Sequence, residues 1–495
     1  MKAEIIINKN FTVGEVDKRI YGSFIEHIGR AVYGGIYEPE HNSADKDGFR
    51  RDVLELIKKI DVPLVRYPGG NFVSGYNWED GTGDKALRPR RQDLAWESIE
   101  TNEVGIDEFQ KWAKAANTEI GMAVNLGTRG PVEAQNLVEY CNSDRDTYYA
   151  DKRRKNGFDK PFGIKTWCLG NEMYGSWQIC RKSAQEYGRI AEEAGKMMKL
   201  TDPEIELVLC GANCESQFFA DWNLTVLNHA YDCVDHIALH QYYNNKANNT
   251  ADFLGRSVHM DSFIKSVEAM CDSIKAKKHS QKTINLAFDE WNVWYSSEDA
   301  QYEKWQVAPR IFEDMYSFED ALVVGCMLMT LQNNCDRVKI ACMAQLVNVI
   351  APITTEPGGS AWIQTIFYPY MYASQNGRGT VMEKLIRCET YQTSDNLTVP
   401  YIESSVIVNE EKQEIVVFAV NRSLTEDMQL SLELGGFDTA CLTEHIELYC
   451  EDLKLTNTKD LQNIKPVSRE ICDKNGTGKE LTLKKHSWNM MKFSY

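Results

Sequence analysis

From residue 20 to residue 342 the chain alternates two hydrophobic patterns. Short runs dense in apolar and β-branched residues fall at 20–25, 63–67, 120–124, 164–169, 205–210, 236–240, 284–288 and 338–342. Between them lie longer stretches whose apolar positions recur at helical spacing, as at 52–60 and 106–116. Eight strands alternating with helices predict an α/β fold, a closed (β/α)8 TIM barrel. In such a barrel the chemistry sits at the C-terminal ends of the strands. Polar residues follow every run: Glu26; Arg66 and Asn71; Asn125; Asn171 and Glu172; Asn213; His240 and Tyr242; Glu290; Gln345.

Beyond about residue 375 the period shortens to two, as in 406–408, 414–420, 428–434 and 480–483, with Gly, Asn and Asp between the runs. This predicts a C-terminal all-β sandwich over residues 371–495, joined by an N-terminal strand in residues 1–15, beside a catalytic barrel of residues 16–370. The role expected of the sandwich is packing against the barrel rather than separate carbohydrate binding. Residues 321–331 form the longest apolar stretch, about half of what a bilayer crossing requires. The N-terminus is too polar for a signal peptide. A cytoplasmic protein with no membrane partner is expected.

Charge and cysteine content narrow the function. A net charge of −17 argues against nucleic acid, because phosphate binding needs persistent basic stripes. The densest basic stretch, residues 152–155, reads as a solvated loop. Fourteen cysteines are scattered through apolar segments and read as reduced core residues, not as a disulfide framework. Neither Cys-x-x-Cys nor His-Glu-x-x-His occurs, so no metal or other cofactor is expected.

Two segments more than a hundred residues apart carry the strongest chemical signal. Residues 167–172 (Trp-Cys-Leu-Gly-Asn-Glu) and 287–292 (Ala-Phe-Asp-Glu-Trp-Asn) each run an apolar strand into a glutamate with tryptophan nearby. Two carboxylates at strand tips meet the needs of glycoside hydrolysis: one acid at the leaving oxygen and one carboxylate at the anomeric carbon. Either glutamate alone reads equally well as a helix cap. The acid of such a pair must be protonated when the bond breaks, and a neighbouring carboxylate is expected to raise its pKa. A separation of about 5 Å between the carboxyls indicates retention of configuration, and about 7 Å or more inversion.

Residues 22–29 with 34–38, then 65–71, 169–173, 239–243, 289–295 and 344–349, resemble in order the matching stretches of glycoside hydrolase family 51, the retaining α-L-arabinofuranosidases. The resemblance covers nearly the whole chain and implies a (β/α)8 barrel followed by a β-sandwich. It implies Glu172 as general acid/base, Glu290 as nucleophile, and Asn171 as the partner of the sugar 2-hydroxyl. Glu26, Asn71 and Gln345 resemble residues that hold other hydroxyls. Trp294 is placed to pack on the sugar and Trp96 to line the leaving-group subsite, while Arg66 and Tyr242 are expected to keep Glu290 ionised. His27 and His240 are read as structural hydrogen-bonders. At Asn71 the chain departs from the pattern, since several family members carry cysteine there. The resemblance implies small arabinose-containing oligosaccharides as partners and a homo-oligomer, a hexamer in the family.

The residues alone leave other readings open. The same scaffold serves a β-xylosidase or an endo-β-1,4-glucanase, or a non-catalytic carbohydrate-binding protein. A metal-dependent sugar isomerase would need a His/Asp/Glu cluster where these strand ends carry Asn, Gln and Arg. Residues 88–103, with Trp96, and 244–260 are expected to wall the site into a pocket suited to exo release of one furanose.

Overall fold

The computed structural model of the chain describes residues 1–296, 302–471 and 479–495, which include every candidate site residue named above. Eight parallel strands close into a barrel. In chain order they are Gly22–Phe24, Leu64–Tyr67, Glu119–Val124, Thr166–Leu169, Glu206–Leu209, His236–Tyr243, Asn285–Val293 and Val338–Met343. Each falls on one of the predicted runs, and the last pairs with the first through Cys342 with Gly22 and Met343 with Ser23. Barrel strands face packed side chains inside and helices outside, which is why their sequences are almost continuously apolar. Helix Arg51–Ile60 shows the complementary pattern: Val53, Leu54, Ile57 and Ile60 are buried while Lys58 and Lys59 face out.

The β-domain is a nine-stranded sheet folded over a core of its own. Strand Lys2–Glu15 lies inside it, antiparallel to Thr380–Cys388 and parallel to Met428–Gly435. Along Glu414–Asn421, Ile415, Val417 and Ala419 enter the β-domain core, and the alternate Val416, Phe418 and Val420 join the barrel core. The long apolar stretch is helix Phe318–Asn333, buried at every residue but its last. It packs on sandwich strands on one side and on barrel strand Asn285–Val293 on the other, and a helix apolar all round must be covered all round. A Cβ on Gly325 would collide with the Trp488 indole, so this close approach needs glycine.

Two local expectations change. Residues 152–155 end helix Tyr148–Lys155 instead of forming a solvated loop. Arg153 is buried there because the carbonyls of Tyr140, Ser143 and Phe158 satisfy its guanidinium. The described cysteines are free thiols, but Cys180 and Cys441 are exposed rather than core. Among the described residues no helix is long and apolar enough to cross a membrane.

Candidate active site

The C-terminal ends of the barrel strands open into a cavity of about 720 Å³. Glu26, Asn71, Trp96, Glu172, Tyr242, Glu290, Trp294 and Gln345 line it. Arg66 and Asn171 lie beneath the floor, each no more than 2 % exposed. One strand end departs from the regular pattern: Asn125 spends its side chain on its own loop, bonding Tyr76 O, Thr128 Oγ1 and the Gly127 N–H. Segment 244–260 does not wall the cavity. It forms helix Thr250–Leu254 and the start of Arg256–Lys277, and meets the β-domain through Arg256 with Asp395 and Ser257 with Glu403. Its place is taken by Phe312, whose ring meets Trp96 and Trp294 edge to face at 6.0 and 5.2 Å.

Glu172 follows barrel strand Thr166–Leu169 in a left-handed backbone conformation, φ 42°, a strained geometry concentrated at functional sites. Its Oε2 accepts from Trp177 Nε1 at 2.7 Å and its Oε1 lies 3.0 Å from His240 Nδ1. Glu290 Oε1 accepts from the Tyr242 hydroxyl at 2.8 Å, and its Oε2 from Arg66 Nη1 at 3.2 Å. One oxygen of each glutamate and a ring nitrogen of His240 lie within 4.8 Å of one another.

Strand Asn285–Val293 breaks register with both neighbours around Asp289, and such breaks re-aim side chains. The consecutive Asp289 and Glu290 therefore both reach Arg66, with Asp289 Oδ2 3.1 Å from Nε. Arg66 also donates to Asn171 Oδ1 at 2.7 Å, and Asn171 Nδ2 reaches Asn71 Oδ1 at 3.4 Å. Phe24 lies against the guanidinium, 4.7 Å from its ring centroid.

These contacts set the charges. Burial works against a charged His240, but the Glu290 and Asp289 charges and its bonding to Asp289 and Glu172 raise its pKa well above the ordinary value. An imidazolium thus sits between the glutamates at neutral pH. Burial raises Glu172, yet the hydrogen bond and charge of His240, with the Trp177 N–H, hold it below the usual carboxylate value. In Glu290 burial and the Glu172 charge win over His240, Arg66 and Tyr242, and its pKa is raised. The sequence expectation put the raised value on Glu172. The structure puts it on Glu290 because His240 is closer to Glu172, 3.0 against 3.5 Å.

Glu26 is a third buried carboxyl on the wall. Burial pushes it up to about 8, against the Phe72 N–H and Trp96 Nε1 donors at 2.9 and 2.8 Å. Gln345 accepts from the Glu26 N–H at 2.9 Å. His27 is structural, held between Glu100 and Tyr67. Glu172, His240 and Glu290 are the ligand-type group among the described residues that a metal would use. Their atoms are already committed to one another, and the Arg66 cation beside Glu290 opposes a dication.

Trp177, Phe312, Asp289 and the charge role of His240 were not drawn from the sequence. Trp177 and Phe312 sit in loops without periodicity. Asp289 was legible only as the neighbour of Glu290.

Comparison with known proteins matches residues 56–262 to the α-L-arabinofuranosidase 1 domain and residues 289–487 to the α-L-arabinofuranosidase C-terminal domain. The intracellular exo-α-(1→5)-L-arabinofuranosidase 1 of Bacillus subtilis (strain 168) is 55 % identical over 494 residues, 99 % of each chain. An exo-α-(1→6)-L-arabinofuranosidase of Bifidobacterium longum is 45 % identical over 98 % of this chain and 96 % of its own. The structure of a family 51 α-L-arabinofuranosidase from B. longum superposes with a TM-score of 0.95 at 42 % identity, covering 99 % of both chains.

Proposed function

The chain belongs to the α-L-arabinofuranosidases of glycoside hydrolase family 51, and from that premise we propose a retaining double displacement with Glu290 as nucleophile and Glu172 as acid/base. The observation that carries this reading is the approach of the two carboxylates to within 4.8 Å. That spacing fits the roughly 5 Å of retaining pairs and leaves no room for the interposed water that inversion needs.

The reactive state holds one proton on Glu172 and none on Glu290. His240 Nδ1, 3.0 Å from the first and 3.5 Å from the second, is placed to pass the proton between them. Glu290 attacks the anomeric carbon while Glu172 protonates the leaving oxygen, and the glycosidic bond breaks. With Glu290 esterified its negative charge is gone, and Glu172, ionised beside the His240 imidazolium, removes a proton from the attacking water. The new C–O bond forms as the ester releases Glu290. Arg66 and Tyr242 hold Glu290 in its attacking orientation and stabilise its carboxylate.

Around the sugar, Asn171 is assigned to the 2-hydroxyl, Glu26, Asn71 and Gln345 to other hydroxyls, and Trp294 to the ring face. Trp96 is tied to Glu26 through its indole N–H. We therefore place it with the cleaved sugar rather than with the leaving group. The substrates are terminal α-L-arabinofuranosyl units of arabino- or arabinoxylo-oligosaccharides, acted on in the cytoplasm by a homo-oligomer, a hexamer by family resemblance. Residues 16–370 form the catalytic unit, and residues 371–495 with 1–15 the packing domain.

A panel of aryl glycosides tests the reading: α-L-arabinofuranoside, β-D-xyloside, β-D-glucoside and β-cellobioside. Selective release from the arabinofuranoside is expected, with Glu290→Ala lowering kcat/KM by about 10⁴-fold or more. NMR of the first-formed arabinose should show the α-anomer. The β-anomer would end the retaining proposal, and turnover confined to the xyloside or cellobioside would overturn the sugar.

A further inference from the structure

No step of the double displacement uses Asp289, yet it lies among the site's charges. It is 1 % exposed and does not line the cavity. In a regular strand consecutive side chains point to opposite faces, so a Glu290 turned into the barrel would send Asp289 outside. The register breaks around these residues let both carboxylates reach the interior. Burying a second carboxylate is costly unless it is paired, and the pairing here is specific.

Each oxygen of Asp289 faces a different cation. Oδ1 lies 3.3 Å from His240 Nε2, and Oδ2 lies 3.1 Å from Arg66 Nε. Both cations turn another edge to the catalytic pair: His240 Nδ1 is 3.0 Å from Glu172 and 3.5 Å from Glu290, and Arg66 Nη1 is 3.2 Å from Glu290. A carboxylate on one ring nitrogen fixes what the other nitrogen presents. Burial works against the Asp289 charge, but Arg66 and His240 hold its pKa below the ordinary value. The other groups around the cluster are neutral at pH 7. Burial pushes the Cys168 thiol, 3.6 Å from Oδ2, up to about 12, and raises Cys210 and Cys342 as well. It also raises Tyr242 well above its ordinary value and Glu26 to about 8. Two cations, Arg66 and His240, therefore meet three carboxylates, Asp289, Glu172 and Glu290. One proton on Glu172 brings the sum to zero. In the glycosyl-enzyme Glu290 is an ester and Glu172 is ionised, and the sum is zero again.

We propose that Asp289 is a positioning residue: it braces His240 and Arg66 against the two glutamates and supplies the negative charge that keeps the buried cluster neutral both before cleavage and in the glycosyl-enzyme. It acts through these two cations and does not touch the sugar. The inference rests on Glu290 being the nucleophile and Glu172 the acid/base, because those assignments fix the two states in which the charges are counted.

The test is the pH dependence of kcat/KM on an aryl α-L-arabinofuranoside. Asp289→Asn keeps the shape and removes the charge, which favours fewer bound protons at every pH. Both limbs, the successive ionisations of the Glu172–Glu290 pair, are expected to move to lower pH by about one unit. Asp289→Glu keeps the charge and should hold both limbs within about 0.3 unit of wild type. Limb positions do not depend on how much of the enzyme is folded. If Asp289→Asn alone yields no folded protein, Asp289→Asn combined with His240→Asn removes one charge of each sign, so that neither is left buried without its partner. The limbs of that double variant should lie about one unit below those of His240→Asn alone. Limbs that stay in place or move to higher pH in the single variant, or that coincide with His240→Asn in the double, overturn the charge role while leaving the hydrolase intact. Undiminished turnover by Glu290→Ala would instead sink the double displacement, and the inference with it.

Discussion

Beneath the cavity floor Arg66, Asn171, His240 and Asp289 are each no more than 4 % exposed, and each bonds or ion-pairs with another charged or amide group. On the rim beside Glu172, Trp177 and Phe218 are about half exposed. The contrast separates two tasks. Developing charge is stabilised most by dipoles and ions that need not move when it appears, which demands a crosslinked, water-poor floor. Recognition of a leaving group that must depart is served by exposed aromatic side chains, whose contribution is modest and released at no structural cost.

If that division holds, damage to the floor changes rates by orders of magnitude and alters pH dependence, while damage to the rim rescales substrate preference. The largest expected effect after loss of Glu290 is that of Glu172→Ala. With oligosaccharide substrates kcat/KM should fall about 10³-fold, whereas an aryl glycoside whose leaving group needs no proton should lose about tenfold or less. Equal losses for both leaving groups would remove Glu172 from the acid role.

His240→Asn sharpens the charge argument. Without the imidazolium, ionised forms of both glutamates are less favoured and both pKa values rise. The acid and alkaline limbs of kcat/KM, the first and second ionisations of the interacting Glu172–Glu290 pair, should both move to higher pH by about one unit. Limbs that stay in place or move toward acid would show that His240 only positions its neighbours.

The smallest of the three concerns Glu26. Pushed up to about 8 by burial, it is mainly protonated at pH 7 and gains a negative charge as pH rises through 8. Wild-type kcat/KM should then decline between pH 7 and 9 by about threefold more than that of Glu26→Gln, which stays neutral. Parallel declines would show that Glu26 does not titrate there.

Much of the architecture was legible because barrel strands carry a redundant signal. Each is short, apolar on both faces and followed at once by polar residues, so Cys168-Leu169 before Asn171 and Ala287-Phe288 before Asp289 stand out without any knowledge of neighbours. The same logic failed at Asn125, where a polar residue after a strand serves only its own loop. It also failed at residues 152–155, where basic composition suggested solvent although Arg153 is buried by carbonyls that lie close in sequence but whose orientation composition does not reveal.

What the sequence determined by itself is the barrel, the β-domain after it, and the two glutamates that end strands beside tryptophan. These follow from local periodicity and from the cost of interrupting an apolar run with a charge. Only the tertiary structure decided that the carboxylates approach within 4.8 Å, that a register break turns both Asp289 and Glu290 toward Arg66, and that His240 stands nearer Glu172 than Glu290. Which carboxyl holds its proton depends on distances between groups from different strands, set by barrel closure, and pairwise electrostatics of that kind leaves no trace in the order of residues along the chain.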